Sequence, residues 1–153
     1  MDLELRETND GGDIIKNSKD VSVIFGFENM PYLAMFGGNV EESTPLIRKK
    51  NQQSFDWWGN SVLFPNDTSV QLNSETEMVL NTVALNSFGR GLIEKAVKND
   101  LEFMKDFAEV TVDVSLESPS RAVIGIKLVK KDNLQKREFI YIWDYTTKEL
   151  TQR

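Results

Sequence analysis

The sequence predicts an α+β fold, in which an antiparallel C-terminal β-meander is covered by a long amphipathic helix. Three observations predict it: the N-terminal half is rich in turn residues, residues 74–108 lack proline and carry apolar positions at helical spacing, and residues 109–146 alternate between apolar and polar side chains. With 153 residues, of which 40% are hydrophobic, the chain is expected to form a single domain over 1–153.

The first 20 residues are expected to form an N-terminal arm or hairpin. Leu3 and Leu5 alternate with charged residues, and the Gly11-Gly12 pair that follows is typical of a turn. The elements of this half of the chain should therefore be short.

Two apolar segments follow the arm. The alternation from Val21 to Phe27 predicts a strand. The segment from Met30 to Phe36 fits either a strand or a helix, because Pro31 is compatible with a first helical turn and with a strand edge. The sequence leaves this choice open.

Residues 74–108 are predicted to be helical, as two helices rather than one. A short apolar stripe around Met78 and Val79 ends near Asn86, and Ser87 is the expected N-cap of the second helix. The opposite face of this second helix is polar, so it should lie on a sheet. Its apolar row consists of Ile93, Val97, Leu101, Met104 and Ala108.

Residues 109–146 are predicted to form a three-stranded meander. Strict alternation over the first two strands indicates that one face of the sheet is buried. In the third strand Ile140 and Ile142 point to one face. The other face of this strand carries Phe139, Tyr141, Trp143 and Tyr145.

Composition removes several classes of function. The chain has no Cys and no His, which excludes disulfides, thiol nucleophiles, imidazole bases and the usual zinc sites. A net charge of −6 disfavours nucleic acid. The chain lacks a run of about 20 apolar residues that could span a membrane and lacks the features of a signal peptide, so it is expected to begin in the cytosol.

No metal or cofactor is expected, and the chain is not expected to be an enzyme. The run Asn9-Asp10-Gly11-Gly12-Asp13 offers oxygen ligands but lacks the later glutamate of an EF-hand, so it is interpreted as a turn. A glycosidase would need two carboxylates converging on one cleft. The candidate pairs, Glu41 with Glu42 and Glu75 with Glu77, are typical of a solvated surface, and the second pair also suits the first turn of a helix.

The most distinctive motif is the aromatic run Ser54-Phe55-Asp56-Trp57-Trp58-Gly59-Asn60. Exposed indoles could stack on sugar rings, as in a carbohydrate-binding module, or anchor a partner protein. They could also simply fill the core. The last predicted strand poses the same choice: its aromatic row suits a core, while its backbone edge could accept a strand from another chain.

The tryptophan motif, followed by a short helix, a longer helix and alternating strands, resembles the Mu-type contractile-phage baseplate family, gene product forty-six. Trp57, Trp58, Gly59 and Asn60 match the family motif, which usually has Arg-Gly where Phe55-Asp56 stands. The resemblance covers about Val21 to Val129. Where the family commonly has a Thr-Asp-Arg-Arg-like run, this chain has Gly37-Gly38-Asn39 after Phe36, so any contact made by those arginines is not carried over.

The resemblance implies a structural component of a contractile phage or prophage tail, of wedge or sheath-initiator type, similar to gene product twenty-five of phage T4. Its partners would be other wedge proteins and tail sheath or tube subunits. It would assemble in the bacterial cytoplasm and end in the virion tail. The residues expected to bind partners are Trp57, Trp58, Gly59, Asn60, Phe139, Tyr141, Trp143 and Tyr145.

Overall fold

The fold is α+β, as predicted, in a computed structural model that describes residues 2–7, 12–24, 29–37 and 74–153. A four-stranded antiparallel sheet forms the C-terminal half, and helices cover one of its faces. The N-terminal segment adds two small two-stranded sheets.

The N-terminal segment pairs with itself in short pieces. Strand β1 (Asp2–Leu3) pairs antiparallel with β4 (Val23–Ile24), and β2 (Leu5–Glu7) pairs with β3 (Gly12–Ile14) as a hairpin. Of the strand predicted from Val21 to Phe27, residues 21–24 are described, and the last two of them form β4. Residues 25–28 lie outside the described ranges.

The open choice for the segment from Met30 is resolved as helix α1 (Met30–Phe36), with Pro31 in the first turn, where its missing N–H costs nothing. The side chain of the preceding Asn29 accepts a hydrogen bond from the Leu5 amide at 3.2 Å and donates to the Leu3 carbonyl at 2.6 Å. Asn29 therefore fastens the start of α1 to the N-terminal strands.

The helical region contains α2 (Glu75–Thr82), α3 (Ser87–Asp100) and a 3₁₀ helix (Glu102–Asp106). The predicted long helix thus ends at Asp100, and Met104 reaches the core from the 3₁₀ turn. The predicted N-cap was one residue too late: the side chain of Asn86, not Ser87, accepts the hydrogen bond from the Gly89 amide, at 2.9 Å.

The sheet consists of β5 (Ala108–Ser118), β6 (Arg121–Lys130), β7 (Lys136–Asp144) and β8 (Glu149–Gln152), in that spatial order. The predicted three-stranded meander was therefore one strand short. The sequence pattern missed β8 because it has only four residues, of which one, Leu150, is a buried hydrophobic. Its pairing with β7 follows a turn in which Lys148 has a φ of 62°.

Alternation along the strands sorts their side chains between a sealed face and an open one. The sealed face packs against α1, α2 and α3, and the side chains of Tyr141, Ile124, Ile93 and Met35 are fully buried there. Burial of each such side chain contributes about 1.5–3 kcal/mol. This single core holds the helices on the sheet.

Tyr141 in β7 and Tyr145 just beyond it make a matched stability test. The Tyr145 hydroxyl donates to the Val83 carbonyl at 2.6 Å and so ties the end of α2 to the sheet, whereas the buried Tyr141 hydroxyl has no hydrogen-bond partner among the described residues. We expect Tyr145→Phe to lower the free energy of unfolding by about 1 kcal/mol. Tyr141→Phe should be neutral or stabilising. Urea denaturation of the two variants checks this, and an equal loss in both would contradict it.

Two glycines of α3 give a second test. A Cβ at Gly89 would clash with the Ala84 carbonyl oxygen, whereas a Cβ at Gly91 would meet no described residue within 4 Å. Gly89→Ala should therefore destabilise the fold, because backbone atoms must shift. Gly91→Ala should raise the thermal midpoint, since alanine favours an exposed helical position by up to about 1 kcal/mol. Thermal melts that rank the two variants in the opposite order would contradict this packing.

Candidate docking surface

The residues of the tryptophan motif, Trp57, Trp58, Gly59 and Asn60, lie outside the described residues, as do Glu41 and Glu42. The other residues predicted to bind partners lie in β7 or, for Tyr145, directly after it.

The aromatic row of β7 belongs to the core rather than to a surface. Phe139, Tyr141 and Trp143 are 8%, 0% and 6% exposed and point toward the helices, with the Tyr141 ring 5.7 Å from that of Phe36. Burial raises the pKa of the Tyr141 hydroxyl above its ordinary range. Of the two alternatives that the sequence left for this row, the structure therefore favours the core, and these side chains are not available to a partner.

Tyr145 lies just beyond β7 and is half-buried. Its ring is 6.4 Å from that of Trp143 in an edge-to-face arrangement, and Lys148 Nζ lies 4.5 Å from its centroid. Burial raises the pKa of the Tyr145 hydroxyl to about 12. Because this hydroxyl bonds to Val83, Tyr145 serves the packing of α2 on the sheet.

The backbone edge of this strand, which the sequence offered for strand addition, is largely paired in the structure. Over Tyr141–Asp144 the outer side of β7 is paired with β8, and the Arg153 amide adds a hydrogen bond to the Ile140 carbonyl at 2.9 Å. The strand order instead places β5 at the edge. Within the described residues, β5 has strand pairing on one side only, from β6.

The edge strand β5 is eleven residues long and carries Glu109, Asp113 and Glu117 as exposed side chains. One backbone carbonyl of this strand is occupied by a side chain. The Arg90 guanidinium of α3 donates to the Val114 carbonyl at 3.2 Å and to Glu94 Oε2 at 3.1 Å. Acidic side chains and a capped carbonyl are common protections of an edge against self-association. Over the described residues, the charge that this edge presents is acidic.

The open face is the side of the sheet that points away from the helices. It is defined by cross-strand register, which places the following residues in five rows. Row one holds Glu109, Val129 and Lys136, and row two holds Thr111, Lys127 and Glu138. Row three holds Asp113, Gly125 and Ile140, and Arg153 joins it because its backbone amide donates a hydrogen bond to the Ile140 carbonyl. Row four holds Ser115, Val123, Ile142 and Thr151, and row five holds Arg121, Asp144 and Glu149, with Glu117 beside Arg121.

The centre of the open face is apolar. Val123, Ile140 and Ile142 stand around Gly125, and Ile140 is 42% exposed. Among the described residues, a Cβ at Gly125 would meet only the Asp113 carbonyl oxygen, at 3.7 Å, so the glycine leaves a shallow hollow rather than relieving a clash. An apolar centre with a polar rim is the usual anatomy of a protein interface.

The rim of the open face carries cross-strand ion pairs. Lys127 Nζ lies 3.3 Å from Glu138 Oε1, and Arg121 Nε lies 3.0 Å from Asp144 Oδ2. The hydrogen bond from Arg121 holds the pKa of the Asp144 carboxyl below its ordinary value. Such exposed pairs contribute little to stability, but they fix the pattern of charge.

Sequence reasoning missed Asp100, the last residue of α3. Its two carboxylate oxygens accept hydrogen bonds from the Glu75 and Thr76 amides at 3.0 and 2.8 Å, so it caps the N-terminus of α2 from 24–25 residues away. The nearer Ser74 makes no side-chain cap. No local pattern could reveal this contact, because it depends on how α2 and α3 pack.

The Glu75–Glu77 pair forms the first turn of α2, as its acidic positions suggested. Glu75 Oε2 accepts a hydrogen bond from the Asn99 amide group at 2.9 Å. Burial raises the pKa of the adjacent Asp100 to about 7, against the opposing effect of the hydrogen bonds from Thr76 and Glu75. These carboxyls are engaged in joining two helices.

A cleft of about 440 Å³ lies between Met30, Phe107 and the β6–β7 turn. Lysines and aspartates surround its apolar floor, and the Lys131 ammonium donates to the Lys105 carbonyl. The described residues contain no cluster of three or more acidic side chains that could hold a metal ion. In the same part of the chain, none of the helices is long and apolar enough to cross a membrane.

Comparisons with protein-family models, curated proteins and solved structures found no match for this chain. Within the described residues, the geometry identifies two candidate docking surfaces, which are the outer edge of β5 and the open face.

The Asp100 cap predicts an unusual pH dependence. An unfolded aspartate releases its proton near pH 4, whereas folded Asp100 holds it to about pH 7, so the folded state binds the extra proton between these values. The free energy of unfolding should therefore fall as the pH rises from about 4 to 7. Asp100→Asn should remove this slope.

Urea denaturation across this pH range measures the effect. Asp106→Asn, in the neighbouring 3₁₀ helix, is the matched control and should keep the slope. A slope that is the same in Asp100→Asn as in the original chain would contradict the account.

Proposed function

We propose that this chain is a structural component of a contractile phage or prophage tail baseplate, of wedge or sheath-initiator type, and that it acts by protein–protein assembly. The observation that carries the proposal is the edge strand β5, which presents an eleven-residue backbone with strand pairing on one side only in the described part of the chain. The tryptophan motif supplies the link to the phage family.

The edge of β5 suits the addition of a strand from a partner. Backbone amides and carbonyls along an unpaired edge supply affinity, and side chains on alternate positions supply specificity. Here those side chains include Glu109, Asp113 and Glu117, so a partner strand with lysines or arginines at alternate positions is favoured. A second copy of β5 is disfavoured, because an antiparallel pairing would bring acidic residues together.

The expected partners are neighbouring wedge proteins and the first sheath or tube subunits. Assembly would take place in the bacterial cytoplasm, after which the protein would remain in the virion tail or a phage-derived particle. In this assembly Trp57 and Trp58 are proposed to anchor the loop region, since large aromatic side chains dominate interface energetics.

The proposal predicts that the chain copurifies with tail proteins encoded beside its own gene. Amide hydrogen exchange over residues 108–118 should slow in such a complex, because a docked strand protects the outer amides of β5. Exchange over β6 should change little, since its amides are already paired on both sides.

The tryptophans are tested in the same assay. Trp57→Ala combined with Trp58→Ala should abolish copurification while the circular dichroism spectrum and melting temperature stay unchanged, and Phe88→Ala, an exposed aromatic on α3, is the control. Loss of folding in the double variant would instead place the indoles in the core. Copurification that persists in a folded double variant, or complexes without protection of β5, would contradict the proposal.

A further inference from the structure

The open face has a charge and shape pattern that matches itself. Two copies of the chain can be related by a two-fold axis that is parallel to the strands and runs between β6 and β7, in front of the open face. This operation keeps each row at its own height and reverses its order, so β5 of one copy faces β8 of the other and β6 faces β7. In such an isologous contact, each pairing occurs twice.

The central row pairs a knob with a hollow. In row three the exposed Ile140 of one copy faces Gly125 of the other, whose missing side chain leaves room for it. In row four Val123 faces Ile142. Two sheets pack about 10 Å apart, the distance at which apolar side chains of this size interdigitate.

The charged positions follow the same reversal. In row two Lys127 faces Glu138, and in row five Arg121 faces Asp144. Each intramolecular ion pair would thus meet its counterpart with opposite signs facing, which gives a four-charge cluster of alternating sign.

The ends of row three are complementary as well. Asp113, which forms no ion pair with any other described residue of its own copy, faces Arg153. Two positions do not match. In row one Val129 faces Lys136, and at the opposite corner Glu117 faces Glu149; both glutamates are exposed, and Arg121 lies 3.8 Å from Glu117. Exposed like charges at a rim cost little.

Other arrangements of two copies lack this match. An axis perpendicular to the strands would place β5 over β5, so that the acidic side chains of Glu109, Asp113 and Glu117 would face their own kind. Only the axis along the strands sets acid against base and Ile140 against Gly125.

We propose that the open face is a homodimer interface, in which a second copy of this chain docks face to face about a two-fold axis parallel to the strands. This inference does not depend on the phage assignment. Four strands spaced about 4.8 Å apart and roughly seven residues long bury about 1,000 Å² in total, counting both copies. That area lies at the lower end of specific interfaces, so the dimer should form in a concentration-dependent way.

Sedimentation velocity on the full chain, from about 1 μM to about 1 mM, tests the proposal. The weight-average sedimentation coefficient should rise from that of a monomer to that of a dimer. Ile140→Asp should weaken association at least tenfold, and Gly125→Val should do the same by filling the hollow. Leu134→Asp, another exposed hydrophobic but in the β6–β7 turn, is the control and should dimerise as the original chain does.

A charge swap tests the geometry itself. Asp113→Arg and Arg153→Asp should each weaken dimerisation, because each puts two like charges opposite one another. The two changes combined should restore the dissociation constant to within about threefold, because residue 113 of one copy faces residue 153 of the other. A chain that stays monomeric throughout the series overturns the proposal and leaves the open face to a different protein. A dimer unaffected by Ile140→Asp, or a double swap that fails to restore it, also overturns the proposal.

Discussion

The structure depends on burial of one face of a four-stranded sheet beneath three helices. Strand alternation has a period of two, so every residue that packs against α3 commits its neighbours to the opposite face. Val112, Ile124 and Tyr141 are in the core for the same reason that Asp113, Gly125 and Ile140 are outside it. The two surfaces available for docking are therefore a consequence of how the core is built.

This constraint also explains the polar contacts between elements. Asn29 fixes α1 to the N-terminal strands, Asp100 caps α2 from the end of α3, and Tyr145 holds the end of α2 against the sheet. Asp100 and Tyr145 satisfy backbone groups at the two ends of α2, where a helix leaves its amides and carbonyls unpaired. Asn29 satisfies the Leu3 carbonyl and the Leu5 amide, where β1 ends and β2 begins. The contact made by Asp100 has a cost, because burial disfavours the ionised form of its carboxyl group.

Sequence patterns predicted the fold class, the division of the helical region and the faces of β5, β6 and β7, because periodicity carries that information over long elements. They missed β8, whose four residues are too few to show a period, and so offered the edge of β7 rather than that of β5 for strand addition. They also could not identify Asp100 as a cap, since its partners are 24–25 residues away. The role of Phe139, Tyr141 and Trp143 was left open for a related reason: an aromatic row suits both a core and an interface until the opposing layer is known.

One face of the sheet is sealed by the helices, and we propose that the other docks a second copy. Solution NMR with a soluble paramagnetic probe tests it most directly, by measuring the relaxation of methyl groups in dilute and concentrated samples. We expect the methyls of Ile93, Ile124 and Ile126 to be shielded at every concentration, and those of Ile140 and Ile142 to be strongly relaxed when dilute and shielded when concentrated. Shielding of Ile140 and Ile142 in the dilute monomer, or exposure of Ile124, would contradict it.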